Sequence, residues 1–320
     1  MTGKEKFIKA LKREPVTGHV PHFELVFYLT MESIGKVHPL HRDFGQWDQM
    51  SPSEKKLHLN EIADCYVDIA KKYHHSAIFV HFGVPGLNNI DFVCLVLEKI
   101  REKSGDEYFL LVHGDSTFSI PDGESMTEFS VRMYEEPHLL IEESKRNTDN
   151  QLKFAKKLQR TGLLDGFGLC ADYCFNTSPF FSNEMFEKLI VPPLTELISG
   201  YREMGYYSIK HTDGNIMPIL DQMVGCKPDA LHSLDPQGGV DLAEVKRLVG
   251  DKVTLIGNVN CGLMQTGTDE EVVADVKRSL QQGMPGGGYI FSTSNCVYTG
   301  LPLERYELVH RIWREHGIYE

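Results

Sequence analysis

The sequence predicts a (β/α)8 barrel, with residues 1–320 forming a single domain, and three observations lead there. Short β-branched runs ending in polar residues alternate with longer segments of helical periodicity. Eight such runs can be counted, which favours a parallel sheet closed into a barrel. No run is followed by the G-x-G-x-x-G turn of a dinucleotide-binding sheet, since Gly286-Gly287-Gly288 precedes the last run instead of following it.

The runs are His19 to Val26, Ser76 to Phe82, Tyr108 to Asp115, Leu163 to Asp172, Tyr206 to Asp213, Ala230 to Asp235, Val253 to Asn260 and Gly288 to Asn295. Between them, 3.6-residue periodicity predicts helices over Ser53–Tyr73, Pro137–Arg160, Asn183–Tyr201, Asp241–Val249, Asp269–Gln282 and Leu303–His316. Ser53 is a candidate cap, Asp269 opens an acidic first turn, and Gly205 and Gly250 follow the last periodic residues of their helices. Two long connections, residues 28–50 and 116–136, fall after strands and are candidate lids over the strand ends.

Composition excludes several function classes. Thirty-three Lys and Arg stand against 45 Asp and Glu, a formal charge of -12, so a phosphate backbone would be held against the overall field and nucleic acid is not expected. With 41% hydrophobic and 24% charged residues and no long apolar stretch, no membrane span is expected. The charged start Met1-Thr2-Gly3-Lys4-Glu5-Lys6-Phe7 lacks a signal-peptide pattern, so the expected location is the cytoplasm. Seven scattered cysteines do not form a disulfide framework; they read as buried thiols, with one or two available to a metal.

The polar residues at the run ends are Glu24, His81, His113 with Asp115, Asp172, His211 with Asp213, His232 with Asp235, Asn258 with Asn260, and Asn295 with Cys296. Any one of them reads equally as a hydrogen-bonded structural group. In a barrel, all of them converge on one mouth, and that collective placement marks the candidate site. Within Ile209-Lys210-His211-Thr212-Asp213-Gly214-Asn215-Ile216, alternation puts His211 and Asp213 on one side of the strand, and Gly214 permits a tight turn. A purely structural alternative has Asp213 capping a helix that starts near Asn215.

His211-Thr212-Asp213-Gly214-Asn215 resembles the H-x-C-G-N element of the uroporphyrinogen decarboxylase superfamily. Further elements follow in that family's order. They are Ala171-Asp172-Tyr173 with Ser178-Pro179 and Ser182 to Pro193, then Leu255-Ile256-Gly257-Asn258-Val259-Asn260, then Gly287 to Ser292 with Asn295-Cys296 and Leu301-Pro302-Leu303-Glu304. The resemblance runs from about Leu163 to the C-terminus. It departs from the decarboxylases at the N-terminus, where their Arg-rich element around R-Q-A-G-R-Y is replaced by Glu24 to Glu32. An acidic residue there repels the carboxylates that Arg would clamp. The decarboxylases' late His of G-H-G aligns with Asn295.

The resemblance is closer to the methyltransferases of corrinoid-dependent systems, which bind zinc through the His and Cys of H-x-C and a late Cys. It implies zinc held by His211, by Asp213 in place of the first Cys, and by Cys296 one position beyond the second. Glu24, His81 and Cys174 stand in reserve. The activity expected is metal-assisted transfer of a methyl group from a small methylated substrate to a corrinoid carried by a partner protein. In that reading His211, Asp172, Asp115 and His113 carry catalysis and Asn258 positions them. Glu24, His81, Tyr173, His232, Asn260 and Asn295 would contact the substrate. Two alternatives stay open: a decarboxylase acting on a porphyrinogen or smaller acid through Asp172 and His211 without metal, and a non-catalytic binding barrel.

Overall fold

The computed structural model of the protein describes residues 1–81 and 90–319. The chain opens with α1 (Gly3–Leu11), β1 (Gly18–His19), α2 (Thr30–Ile34) and α3 (Pro52–Lys72), followed by β2 (Ala77–Val80) and α4 (Ile90–Ser104). Next come β3 (Phe109–His113), α5 (Met126–Glu135), α6 (Pro137–Gln159), β4 (Gly166–Leu169), α7 (Asn183–Leu189) and α8 (Val191–Glu203). The second half holds β5 (Tyr207–Thr212), α9 (Leu220–Gly225), β6 (Ala230–Ser233), α10 (Leu242–Val249) and β7 (Thr254–Ile256). It ends with α11 (Cys261–Thr266), α12 (Asp269–Gly283), β8 (Tyr289–Ile290), α13 (Leu303–His316) and β9 (Ile318–Tyr319).

Strands β2 to β8 form a seven-stranded sheet in sequence order, every pair parallel, and each lies inside a predicted run. The run predicted to end at Phe82 has its last residue outside the described residues. The first predicted run, His19 to Val26, does not form a ladder. Gly18 and His19 pair antiparallel with β9, and Pro21 has no N–H to give. What remains is His22, bridged in parallel both to His75 before β2 and to Phe291 after β8. Ser76 N donates to His22 O at 2.7 Å and Phe23 N to Phe291 O at 3.0 Å, so the two edges of the curled sheet meet at one residue.

Alternation divides the strand side chains between the inside of the curl and the helices around it. Phe23, Phe79, Phe109, Leu111, Ile209, Ala230, Ile256 and Ile290 pack together inside the curl. Leu110, Val112, Phe167 and Leu169 point outward against the helices, with Leu194, Leu197 and Ile198 of α8. The helix starts follow capping chemistry. Ser51, not Ser53, caps α3: its hydroxyl accepts from Glu54 N at 3.3 Å, Glu54 accepts from Ser51 N at 2.7 Å, and Pro52 sits where no N–H is needed. The helix predicted over Asn183–Tyr201 breaks at Ile190, because the prolines that follow are tolerated only in the first turn of a new helix. The two long connections hold short helices: α2 lies in residues 28–50 and α5 in 116–136. No helix among the described residues is long and apolar enough to cross a membrane.

Candidate metal centre

The site forms where β4, β5 and β6 end. Register sets His211 of β5 opposite His232 of β6, so their rings share the inner face and their Nδ1 atoms lie 2.7 Å apart. Two residues further along the same face is Asp213, beyond which the chain must turn at once. Gly214 makes the turn at φ +77°, and a Cβ there would stand 2.5 Å from Phe175 O and 2.7 Å from Cys174 O. Only glycine meets both demands. The end of β4 is tied down separately: Ala171 N donates to Asp115 Oδ2 (2.9 Å) and Asp172 N to Ser119 Oγ (2.9 Å), while Asp213 N donates to Asp172 Oδ1 (3.2 Å).

These constraints bring Asp172, His211 and Asp213 together, each offering a ligand atom within 4.8 Å of the other two. His211 Nε2 lies 3.7 Å from Asp172 Oδ1 and 3.7 Å from Asp213 Oδ1, beyond hydrogen-bond reach of either. Asp213 Oδ2 accepts from Asn295 Nδ2, whereas its Oδ1 is buried without a partner. The buried hydroxyl of Ser233, likewise unpartnered, faces the same carboxylate. Burial raises the Asp213 pKa, opposed by His211 and reinforced by Asp172. Asp172, with its side chain 44% exposed, leaves the group open on one side.

Other predicted residues are placed differently. Cys296 is not part of the three-residue group: its N–H donates to Asn295 Oδ1 (2.6 Å), and burial, aided by the charge of Asp213, pushes its thiol up to about 12. Asp172 stands where the cysteine was expected. Cys174 is buried, with its thiol also pushed up to about 12 by burial. Glu24, 4% exposed, bonds to His22, Ser292 and Thr293 instead of facing a substrate. Asn258 is fully buried, donating to Leu234 O and accepting from Arg278, and Asn260 caps α11. Tyr173 is buried with its hydroxyl on Thr117 Oγ1 at 2.6 Å. His113 is exposed at the end of β3. His81 packs beside Phe79, and burial, with His113 nearby, lowers its pKa to about 4.

Asp115 is not a free acid but half of a buried ion pair that sequence reasoning missed. Lys210 Nζ lies 2.8 Å from Asp115 Oδ2, donates to Leu169 O and Ala171 O, and sits 4.0 Å from the centre of the Tyr173 ring. Burial opposes ionisation of Asp115, but Lys210 and Thr117 overcome it and hold the pKa at about 2. The available signal was the lysine itself, one residue before His211 in an apolar strand. A cavity of about 950 Å³ is lined by Arg13, Lys277, Gly286 and Tyr319 at the opposite, N-terminal ends of the strands. None of the candidate site residues lines it, so the convergence of side chains, not cavity size, locates the site.

Helices around a curled parallel sheet, with polar side chains gathered at the strand ends, define a barrel-type α/β protein. The uroporphyrinogen decarboxylase (URO-D) family model matches residues 91–316, and the chain belongs to that family. No curated protein sequence matches it. Among solved structures, a methyltransferase from Methanosarcina mazei superposes with a TM-score of 0.76 at 17% identity, covering 98% of this chain and 99% of that one. A GH5_18 protein from Streptomyces cattleya in complex with GlcNAc gives 0.53 at 10% identity, over 94% of this chain and 80% of that one. At these identities the likeness is one of fold.

Proposed function

We propose that the protein is a methyltransferase of a corrinoid-dependent methyl-transfer system, acting on a small methylated substrate through a divalent cation, zinc, held by Asp172, His211 and Asp213. We read the sheet as closed through His22 into a single eight-membered barrel over residues 1–320, with this group at its mouth. The observation that carries the reading is the unpartnered, buried Oδ1 of Asp213 facing His211 Nε2 and Asp172 Oδ1. Two carboxylates and an imidazole nitrogen gathered within 4.8 Å, one buried carboxylate oxygen among them without a hydrogen bond, favour a cation there.

The donor set fits zinc, which takes imidazole nitrogen and carboxylate oxygen; ligand atoms at about 2.0–2.2 Å around a tetrahedral ion stand roughly 3.4 Å apart. The observed separations from His211 are 3.7 Å. Bound there, the cation supplies Lewis acidity that polarises the methyl-bearing oxygen or nitrogen of the substrate, and one nitrogen with two carboxylates favours such a hard donor over a thiolate. Asn295 holds Asp213 in place through Oδ2, and Asp172 keeps an exposed edge toward an incoming substrate. The methyl acceptor would be a corrinoid on a partner protein. Likeness of fold to the M. mazei methyltransferase is compatible with this reading, and the acidic mouth, which disfavours a polycarboxylate substrate, favours it over decarboxylation.

The test is a methyl-transfer assay with zinc-loaded protein, cob(I)alamin and a panel of O- and N-methylated donors, following methylcobalamin in the visible spectrum. Zinc-dependent methylcobalamin formation is expected. Release of coproporphyrinogen from uroporphyrinogen by metal-free protein would instead establish the decarboxylase alternative.

A further inference from the structure

Glu24 does not touch the acceptor cluster, yet it is buried and held on both sides. Oε1 lies 3.1 Å from His22 Nε2; Oε2 accepts from Thr293 N (3.1 Å), Thr293 Oγ1 (2.5 Å) and Ser292 Oγ (3.4 Å). Thr293 Oγ1 also lies 2.9 Å from Asn295 O and divides its one hydrogen between the two. His22 Nδ1 lies 3.0 Å from Tyr73 O. A carbonyl only accepts, so Nδ1 carries a hydrogen, and a second hydrogen must lie on the 3.1 Å contact to Glu24. The pair therefore holds one proton between its partners, while Tyr306 links it to His75 at 3.1 Å.

The same rule runs toward the cluster. His232 Nε2 lies 3.2 Å from Thr293 O, so that nitrogen carries a hydrogen. The two Nδ1 atoms of His232 and His211, 2.7 Å apart, share a single hydrogen. A His211 that offers its Nε2 lone pair to a cation keeps its hydrogen on Nδ1, so it donates the shared hydrogen and His232 Nδ1 accepts it. A neutral His211 with its hydrogen on Nδ1 presents a lone pair at Nε2, toward Asp172 and Asp213.

We propose that Glu24 is a positioning residue for the metal centre: by clamping Ser292 and Thr293 it orients the carbonyl that fixes His232 as the Nε2–H tautomer, and through it His211 as the Nδ1–H tautomer. The Nε2 hydrogen of His232 follows from the hydrogen bonds alone; the Nδ1 hydrogen of His211 and its use in holding a cation rest on the function proposed above. Metal-ligating histidines commonly depend on such outer partners for ring orientation and basicity. Here the outer partner is a second imidazole, and the carboxylate acts one step further back.

The experiment is 15N NMR of the imidazoles in metal-free, full-length protein, with peaks assigned through His211→Gln and His232→Gln, alongside zinc competition titrations. Expected in the parent are His211 protonated at Nδ1 and His232 protonated at Nε2. Glu24→Ala removes both carboxylate oxygens and releases Ser292 and Thr293; the His211 and His232 tautomers then become mixed, and zinc affinity falls about 10- to 100-fold. Should that variant not fold, Thr293→Val removes the hydroxyl that donates to Glu24, leaves the contacts of His232 with Ser292 Oγ and Thr293 O in place, and gives the same comparison. A parent His211 protonated at Nε2, or tautomers unchanged in the variants, overturns the proposal. Tautomers as expected in a parent that binds no zinc sustain the positioning role and overturn the metal reading.

Discussion

Replacing Lys210 with methionine tests how the mouth is anchored. The Lys210 side chain is fully buried and that of Asp115 is 2% exposed. Methionine fills a similar volume, so the lost interactions are electrostatic: the 2.8 Å ion pair, the bonds to Leu169 O and Ala171 O, and the contact with Tyr173. Asp115 would keep its bonds from Thr117 and Ala171 but lose its counter-charge. Breaking a buried pair from one side costs about 3–5 kcal/mol.

The pH dependence fixes the sign. In the parent, Asp115 is held near 2 against an ordinary value of 3.8, so its ionisation contributes stability that is present above pH 4 and lost as pH falls toward 2. At 1.36 kcal/mol per pH unit, that contribution is about 2–3 kcal/mol. In Lys210→Met only the bonds from Thr117 and Ala171 still oppose burial and the pKa rises, so the deficit should be largest at pH 7 and smaller at pH 4, where the folded variant takes up a proton. Urea unfolding at both pH values measures it, and Asp115→Asn added to Lys210→Met should recover part of the loss. A deficit below about 1 kcal/mol at pH 7, or equal deficits at both pH values, would refute the reasoning.

Three other outcomes follow from the same geometry. His211→Ala should abolish zinc binding in competition titrations while circular dichroism stays that of the parent, with a stability loss of about 1–3 kcal/mol from the unpaired, buried Nδ1 of His232. Asp213→Asn removes a buried charge with an unpartnered oxygen; thermal unfolding of the metal-free variant should match or exceed the parent's, while zinc binding is lost. Gly214→Ala should destabilise by roughly 1–3 kcal/mol in urea, because a positive φ and two carbonyls under 3 Å oppose the methyl group.

The parallel sheet was legible in the sequence because each of its strands is a short apolar run that ends in polar residues, a pattern that depends on local chemistry alone. His19 to Val26 has the same composition but forms bridges, not a ladder, because Pro21 removes a donor and Gly18 and His19 are drawn to β9; that partner lies about 300 residues away and no local pattern reports it. The site shows the same division. Alternation places His211 and Asp213 on one face, whereas the proximity of Asp172 depends on β4 being tied through Asp115 to Lys210 on the neighbouring strand. Motif alignment pointed to Cys296, since alignment carries position along a strand but not which carboxylate of a neighbouring strand comes within reach of His211. Glu24 is the sharpest instance. At the end of its run it reads as a group facing the mouth; its hydrogen bonds turn it toward His22 and Thr293, where it can act on the cluster only through His232. A residue type and a strand-end position thus predict that a side chain is polar and near the mouth, while its hydrogen-bond partners decide whether it faces a ligand or orients the side chain that does.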